Sequence, residues 1–304
     1  MKWLYSSVNS IFYSIFLCSV SVFVGCATFE KFGEFSNKES QDYSGIVQLH
    51  KEMNDKKGKT SSYFASIAVA NEDYDKAYGL YYIECKMGSV VACLNAYYIG
   101  EERALSAYDS AAFARDLDKS IKQSISACSD NESMGCANVF FAFDALNDDD
   151  DFITDVVSTS LKGQNNDKIM DKALYLTQEE CDKNDATSCF LYARMSRSID
   201  NYADVDSYIN KGLDSGYVLA PFVHLPVQSP QTIDYFQRAC TLNEALSCNY
   251  VAYWFDKYER DTKRAREFYK KACTLGVDSA CLENKIESNK PKTDELGAPV
   301  LNRR

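Results

Sequence analysis

Histidine is scarce in this chain: only His50 and His224 occur in 304 residues. A metalloenzyme needs a histidine cluster, and two isolated histidines do not supply one, so no metal and no cofactor is expected. His50 falls in a polar stretch read as a tether. His224 sits beside Leu225 and Pro226, where a packed or surface role is expected. Cys-x-x-Cys is absent, which excludes a thioredoxin-like redox motif. Positive charge is in the minority, with 33 Lys and Arg against 44 Asp and Glu, a formal net charge of -11. Nucleic-acid binding relies on a basic footprint, so that class is opposed. There is no glycine-rich phosphate loop and no basic amphipathic helix, so any membrane attachment is expected from the N-terminus.

What the chain does have is cysteine, and in a pattern. Of its 12 cysteines, ten form pairs with seven residues between: Cys85 and Cys93, Cys128 and Cys136, Cys181 and Cys189, Cys240 and Cys248, Cys273 and Cys281. Recurrence at fixed spacing marks a repeat array. Three residues after each first cysteine stands Gly88, Asn131, Asn184, Asn243 or Gly276. Both residue types tolerate the left-handed conformation that ends a helix, so each first cysteine is expected in a last helical turn. Before each second cysteine stands a small residue, Ala92, Gly135, Ser188, Ser247 or Ala280, which lets a second helix start close against the first. "GLDSGYVLAPF" fits the same template without cysteine. Leu213 and Pro221 hold the cysteine positions there, while Gly216 and Ala220 keep the other two columns.

Upstream, Asp75, Lys76 and Ala77 precede Cys85 at the offsets of Asp118, Lys119 and Ser120 before Cys128, and of Asp171, Lys172 and Ala173 before Cys181. In the last unit Ala265, Phe268 and Tyr269 precede Cys273, small and large apolar residues three or four apart on one buried helical face. Lys270 and Lys271 close that helix, where cations suit its dipole. Apolar and aromatic runs such as "ANVFFAF" follow the second cysteines. Each unit therefore reads as helix, tight loop, helix, and the fold class as all-α.

Zinc ligands are usually separated by about two to four residues, which the seven-residue gaps do not match. Local disulfides fit instead, because a helix end and the start of an antiparallel partner come within the roughly 5.5 Å Cα separation a disulfide needs. Each closure of so short a loop stabilises by about 2 to 3 kcal/mol at most on the chain-entropy model. Disulfides imply an oxidising compartment. After Lys2, "IFYSIFLCSVSVFVGC" reads as a signal peptide over residues 1–25. "FVGC" is similar to a bacterial lipobox, which makes Cys26 the expected lipidation site, with Phe23 in place of the usual leucine. A soluble secreted product and an uncleaved anchor remain open beside the lipoprotein, and all three export the body.

Residues 26–58 read as the lipobox cysteine and a polar tether or N-cap, 59–288 as the helical repeat, and 289–304 as a disordered tail. The intervals between first cysteines vary, so the middle units carry insertions. One holds "LNDDDDF", Asp148 to Asp151, expected as a solvated acidic loop between two helices of a unit rather than a calcium site, since no glycine-centred EF-hand spacing surrounds it.

With alanine before a first cysteine, glycine or asparagine after it, a small residue before the second and an aromatic helix beyond, "YKKACTLGVDSACLEN" and "FQRACTLNEALSCNYVAYW" resemble the Sel1-like repeats of the cysteine-rich Helicobacter type. The resemblance spans about 70–288. It implies an exported α/α solenoid of TPR-like antiparallel helix pairs, each stapled by a disulfide. It differs in unit length, several units here being longer, and in the scarcity of a glycine-rich turn, near which only Gly100 lies.

Three functions are then open. The first is an envelope scaffold that binds a protein or peptide, for which Tyr98, Phe141, Arg194, Tyr253 and Trp254 are the candidate partner-binding residues. Tyr, Trp and Arg are enriched at interface hot spots, although aromatics at helical spacing also build cores. The second is the β-lactamase or penicillin-binding activity with which members of the resembled family are often labelled. The Ser-x-x-Lys motif of a serine β-lactamase is absent, and no acid and base pair stands out, so no catalytic residue is assigned. The third is a structural envelope spacer. The localisation expected is a periplasm-facing membrane lipoprotein, with a soluble periplasmic or secreted form as the alternative.

Overall fold

The structure, a computed structural model, describes residues 42–147, 150–219, 222 and 230–282. The calls on the signal peptide, Cys26, Asp148, Asp149, Ala220, Pro221, His224 and the tail from 289 lie outside the described residues. Among those described, every regular element is a helix, so the chain is all-α. It divides into two compact units, residues 1–235 and 236–304.

The first unit holds α1 (Ser44–Asp55), α2 (Ser61–Ala70), α3 (Tyr74–Lys86), α4 (Val90–Glu102), α5 (Ser110–Ser129), α6 (Ser133–Asp144), α7 (Asp151–Ser160), α8 (Asn166–Asp182), α9 (Ala186–Ser198) and α10 (Val205–Asp214). The division falls within α11 (Pro230–Thr241). The second unit continues with α12 (Ala245–Trp254), a π-helical turn (Phe255–Glu259), α13 (Thr262–Thr274) and a last helix that starts at residue 278.

The stapled helix pairs are α3 with α4, α5 with α6, α8 with α9, α11 with α12, and α13 with the last helix. Each first cysteine is the penultimate residue of its helix, and each second cysteine the fourth residue of the next. Between them the chain turns through a left-handed residue: Gly88 at φ 104°, Asn131 at 68°, Asn184 at 70°, Asn243 at 61° and Gly276 at 101°. The amide of that residue donates to the carbonyl of the first cysteine, and the next amide donates to the residue before that cysteine. In the α8–α9 loop these are Asn184 N to Cys181 O at 2.9 Å and Asp185 N to Glu180 O at 3.0 Å. This double bond pattern satisfies two carbonyls that a helix end would leave orphaned. The cysteine-free unit makes it too, with Gly216 at φ 81° and bonds from Gly216 N to Leu213 O and from Tyr217 N to Gly212 O.

The small column fits its expected purpose. A Cβ built on Gly135 lies 2.5 Å from the Ala127 Cβ and 2.8 Å from the Cys128 amide nitrogen. Ser188, Ser247 and Ala280 are fully buried at the same position. Second helices of successive pairs pack on one another, α4 on α6 and α6 on α9. Polar side chains from a following first helix also reach back to the first cysteine's carbonyl. Ser120 Oγ donates to Cys85 O at 2.9 Å, the buried Lys172 Nζ to Cys128 O at 2.6 Å, and Lys271 Nζ to Cys240 O at 2.6 Å.

Asp150 and Asp151, the described part of the acidic run, do not sit in a loop between two helices of a unit. They open the inserted α7, which packs on α5 and follows the 3-10 turn after α6 (Ala145–Asn147). Asp150 caps α7 by accepting from the Phe152 and Ile153 amides, each at 3.0 Å, and it also accepts from the Tyr97 hydroxyl at 2.8 Å. A short polar residue that can bond the first amides of a helix is favoured there over continued loop.

Asn184→Ala should cost about 1 to 2 kcal/mol of stability through its left-handed backbone, while Asn184→Gly should be close to neutral. Urea unfolding of the oxidised protein measures both. Gly135→Val should cost about 1 to 3 kcal/mol by overpacking, with the Cys128–Cys136 bridge slower to form on refolding.

Candidate functional site

The ten paired cysteines form five local disulfides, with Cα separations between 4.4 and 4.8 Å. Each closes a helix pair, so their chemistry is structural. Such a density of bridges fits an exported protein. No helix among the described residues is long and apolar enough to cross a membrane.

The five candidate partner-binding residues fall in different surroundings. Tyr98, on α4, is half-buried, with its ring edge-on to Tyr97 at 5.4 Å. Phe141, on α6, is buried, and the Arg194 guanidinium from α9 lies 4.5 Å over its ring. The structure thus brings Phe141 and Arg194 together as a cation–π pair across two stacked units. In the second unit, Tyr253 and Trp254 end α12 half-buried, and both rings meet Tyr258, at 6.3 and 4.7 Å. Tyr258 is 47% exposed. It is carried on the π-helical turn, which stops at Arg260 in a left-handed conformation at φ 55°. The Tyr250 hydroxyl, one turn earlier, has its pKa pushed up by burial, then by the neighbouring Tyr258 and Tyr253 hydroxyls. Tyr253, Trp254 and Tyr258 thus make an aromatic edge where α12 runs into the π-helical turn. Sequence reasoning missed Tyr258, although its spacing of four from Trp254 is that of helical neighbours.

Sequence reasoning also missed His50. The stretch around it forms α1, which lies along successive staple loops of the first unit. At its start, a Cβ on Gly45 would lie 2.7 Å from the Met87 carbonyl oxygen, and Tyr43 donates to Asp130 at 2.6 Å. Further along, His50 Nε2 lies 3.2 Å from Asp185 Oδ1, and Asn54 both donates to Asp185 and accepts from the Thr187 amide at 3.0 Å. Just past its end, Lys57 accepts from the Val218 amide at 3.1 Å, and Gly58 packs on Tyr217. The helix and the residues just past it therefore span four units, the last being the cysteine-free one.

Glu180, on the last turn of α8, accepts from the Ser188 hydroxyl at 2.8 Å and from the Ser133 hydroxyl. It stands beside His50 and Asp185, so all three are close enough to share one ion. Burial pushes the His50 pKa down, but the hydrogen bond and charge of Asp185, with Glu180 and Glu132 behind them, outweigh burial and leave it raised. For Asp185, burial pushes upward, and the His50 bond and charge together with the Ser188 bonds bring it down to about 2.

No family model matches the chain, and no curated protein is significantly similar to it.

His50 has its pKa raised on folding, so the pair's contribution is complete below the ordinary histidine value and fades as pH rises through the raised one. Asp185 is lowered, so on the acid side the contribution persists until pH falls toward about 2. The stability lost in His50→Gln should therefore be larger near pH ~5 than near pH ~8.5 in urea unfolding. Equal losses at both would mean that the pair does not titrate with α1 docking.

Proposed function

We propose that this chain is an exported repeat scaffold that binds a protein or peptide in a bacterial envelope through aromatic side chains. The observation that carries the reading is the edge formed by Tyr253, Trp254 and Tyr258, in which the first two rings both meet that of Tyr258, itself about half exposed. Aromatic side chains bring large contact area at low entropic cost, and Tyr and Trp dominate binding hot spots. A π-helical turn costs helix regularity and is frequent at functional sites, which favours a binding role for the residue it displays. The five disulfides supply stability in an oxidising compartment without lengthening the core. The repeat is of the Sel1-like kind on the residues quoted above, and Cys26 is the residue that would carry a lipid anchor.

A photo-crosslinking residue placed at Tyr258 in cells should give one discrete adduct, lost in Tyr253→Ala/Trp254→Ala. The same residue placed at the exposed Tyr175 or Ile83 should not. Labelling of equal strength at all three positions would favour the spacer role instead. Purified oxidised protein should not turn over nitrocefin, and turnover would restore the β-lactam reading. Peptide mass spectrometry of the native envelope fraction should find Cys26 acylated, and Met1 retained would remove the export route.

A further inference from the structure

We propose that His50, Glu180 and Asp185 form a binding site for one divalent transition-metal ion, zinc by the nature of its donors. The three come from separate elements. His50 is on α1, Glu180 is on the last turn of α8 next to Cys181, and Asp185 is the N-cap of α9. One ligand atom from each lies within 4.8 Å of the other two. A tetrahedral zinc ion with bonds of about 2.0 to 2.2 Å holds its ligands roughly 3.4 Å apart, so binding draws the widest pair together by about 1.4 Å through side-chain rotation.

The donor set selects the ion. One imidazole and two carboxylates supply three protein ligands and leave a position for water or a ligand, a common arrangement at open zinc sites. Calcium takes six to eight oxygen ligands, more than these residues offer. Among divalent ions that accept nitrogen and oxygen, zinc binds such sites more tightly than manganese.

Supporting contacts hold the carboxylates without neutralising them. Glu180 accepts from the Ser133 and Ser188 hydroxyls, and Asp185 from the Asn54 amide and, at 2.7 Å, from the Ser188 backbone amide. Neutral donors of this kind orient metal-binding carboxylates and leave their charge available. Among the described residues, the ion pair within this cluster is His50 to Asp185, where the side chains are 13% and 23% exposed. An entering ion has a solvent path and displaces one hydrogen bond, with the ligating imidazole nitrogen deprotonated. The result joins α1 to the third staple loop through coordinate bonds.

The test uses the full chain, oxidised and stripped with chelator, in calorimetric titration with zinc, manganese and calcium chlorides. One zinc per chain is expected, with manganese at least tenfold weaker and calcium without measurable heat. His50→Gln and Glu180→Gln should each weaken zinc at least tenfold while keeping the helical circular dichroism and all five bridges. His224→Gln should leave it unchanged. In the wild type, the His50 imidazole resonances should shift on zinc addition, a readout that needs no variant. No binding, binding equal in wild type, His50→Gln and Glu180→Gln, or loss in His224→Gln alone would overturn the site.

Discussion

Two hydrogen bonds close each stapled helix, running from a left-handed residue and its successor back to carbonyls of the last turn, and they set the direction of every helix pair. They require a residue that tolerates positive φ, which is why each such position holds either asparagine (Asn131, Asn184, Asn243) or glycine (Gly88, Gly216, Gly276). The turn brings the next helix so near that only a small side chain fits before the second cysteine, as the contact of Gly135 with Ala127 makes plain. The two Cα atoms are then within disulfide reach, and the bridge follows from the turn. Gly216 shows the order of cause: the same bonds form there with no cysteine at all.

A repeated loop also presents repeated polar groups. Because each turn leaves similar carbonyls and caps on one side of the first unit, a single segment can meet several of them, and α1 with the residues just past it does so from Met87 to Val218. Its bonds to Asp130 and Asp185 are made with side chains that occupy variable positions within the loops. The repeat therefore provides the track, and the irregular residues fix where α1 stops along it. The metal site follows from that docking, because His50 reaches Glu180 and Asp185 only when α1 lies across the third loop.

The repeat unit was legible because its determinants are local. Spacing, left-handed tolerance, side-chain size and helical periodicity all act within about a dozen residues. The second unit's aromatic edge was partly legible: Tyr253 and Trp254 stood out in the run after Cys248, while Tyr258 lies one helical turn beyond that run. Phe141 and Arg194 each stood out alone, yet their pairing needed α6 and α9 to stack. His50 and Asp185 are 135 residues apart, and nothing in either neighbourhood points to the other.

By itself the sequence determined helix pairs, their turns and their bridges, because each of those is settled by backbone preference and covalent reach within one unit. Tertiary structure alone decided that α1 and the residues just past it lie along four loops, that Asp150 opens an inserted helix, and that one histidine meets two carboxylates. These depend on which surfaces become neighbours after stacking. That is a property of burial and polar matching across distant segments, and no local pattern encodes it.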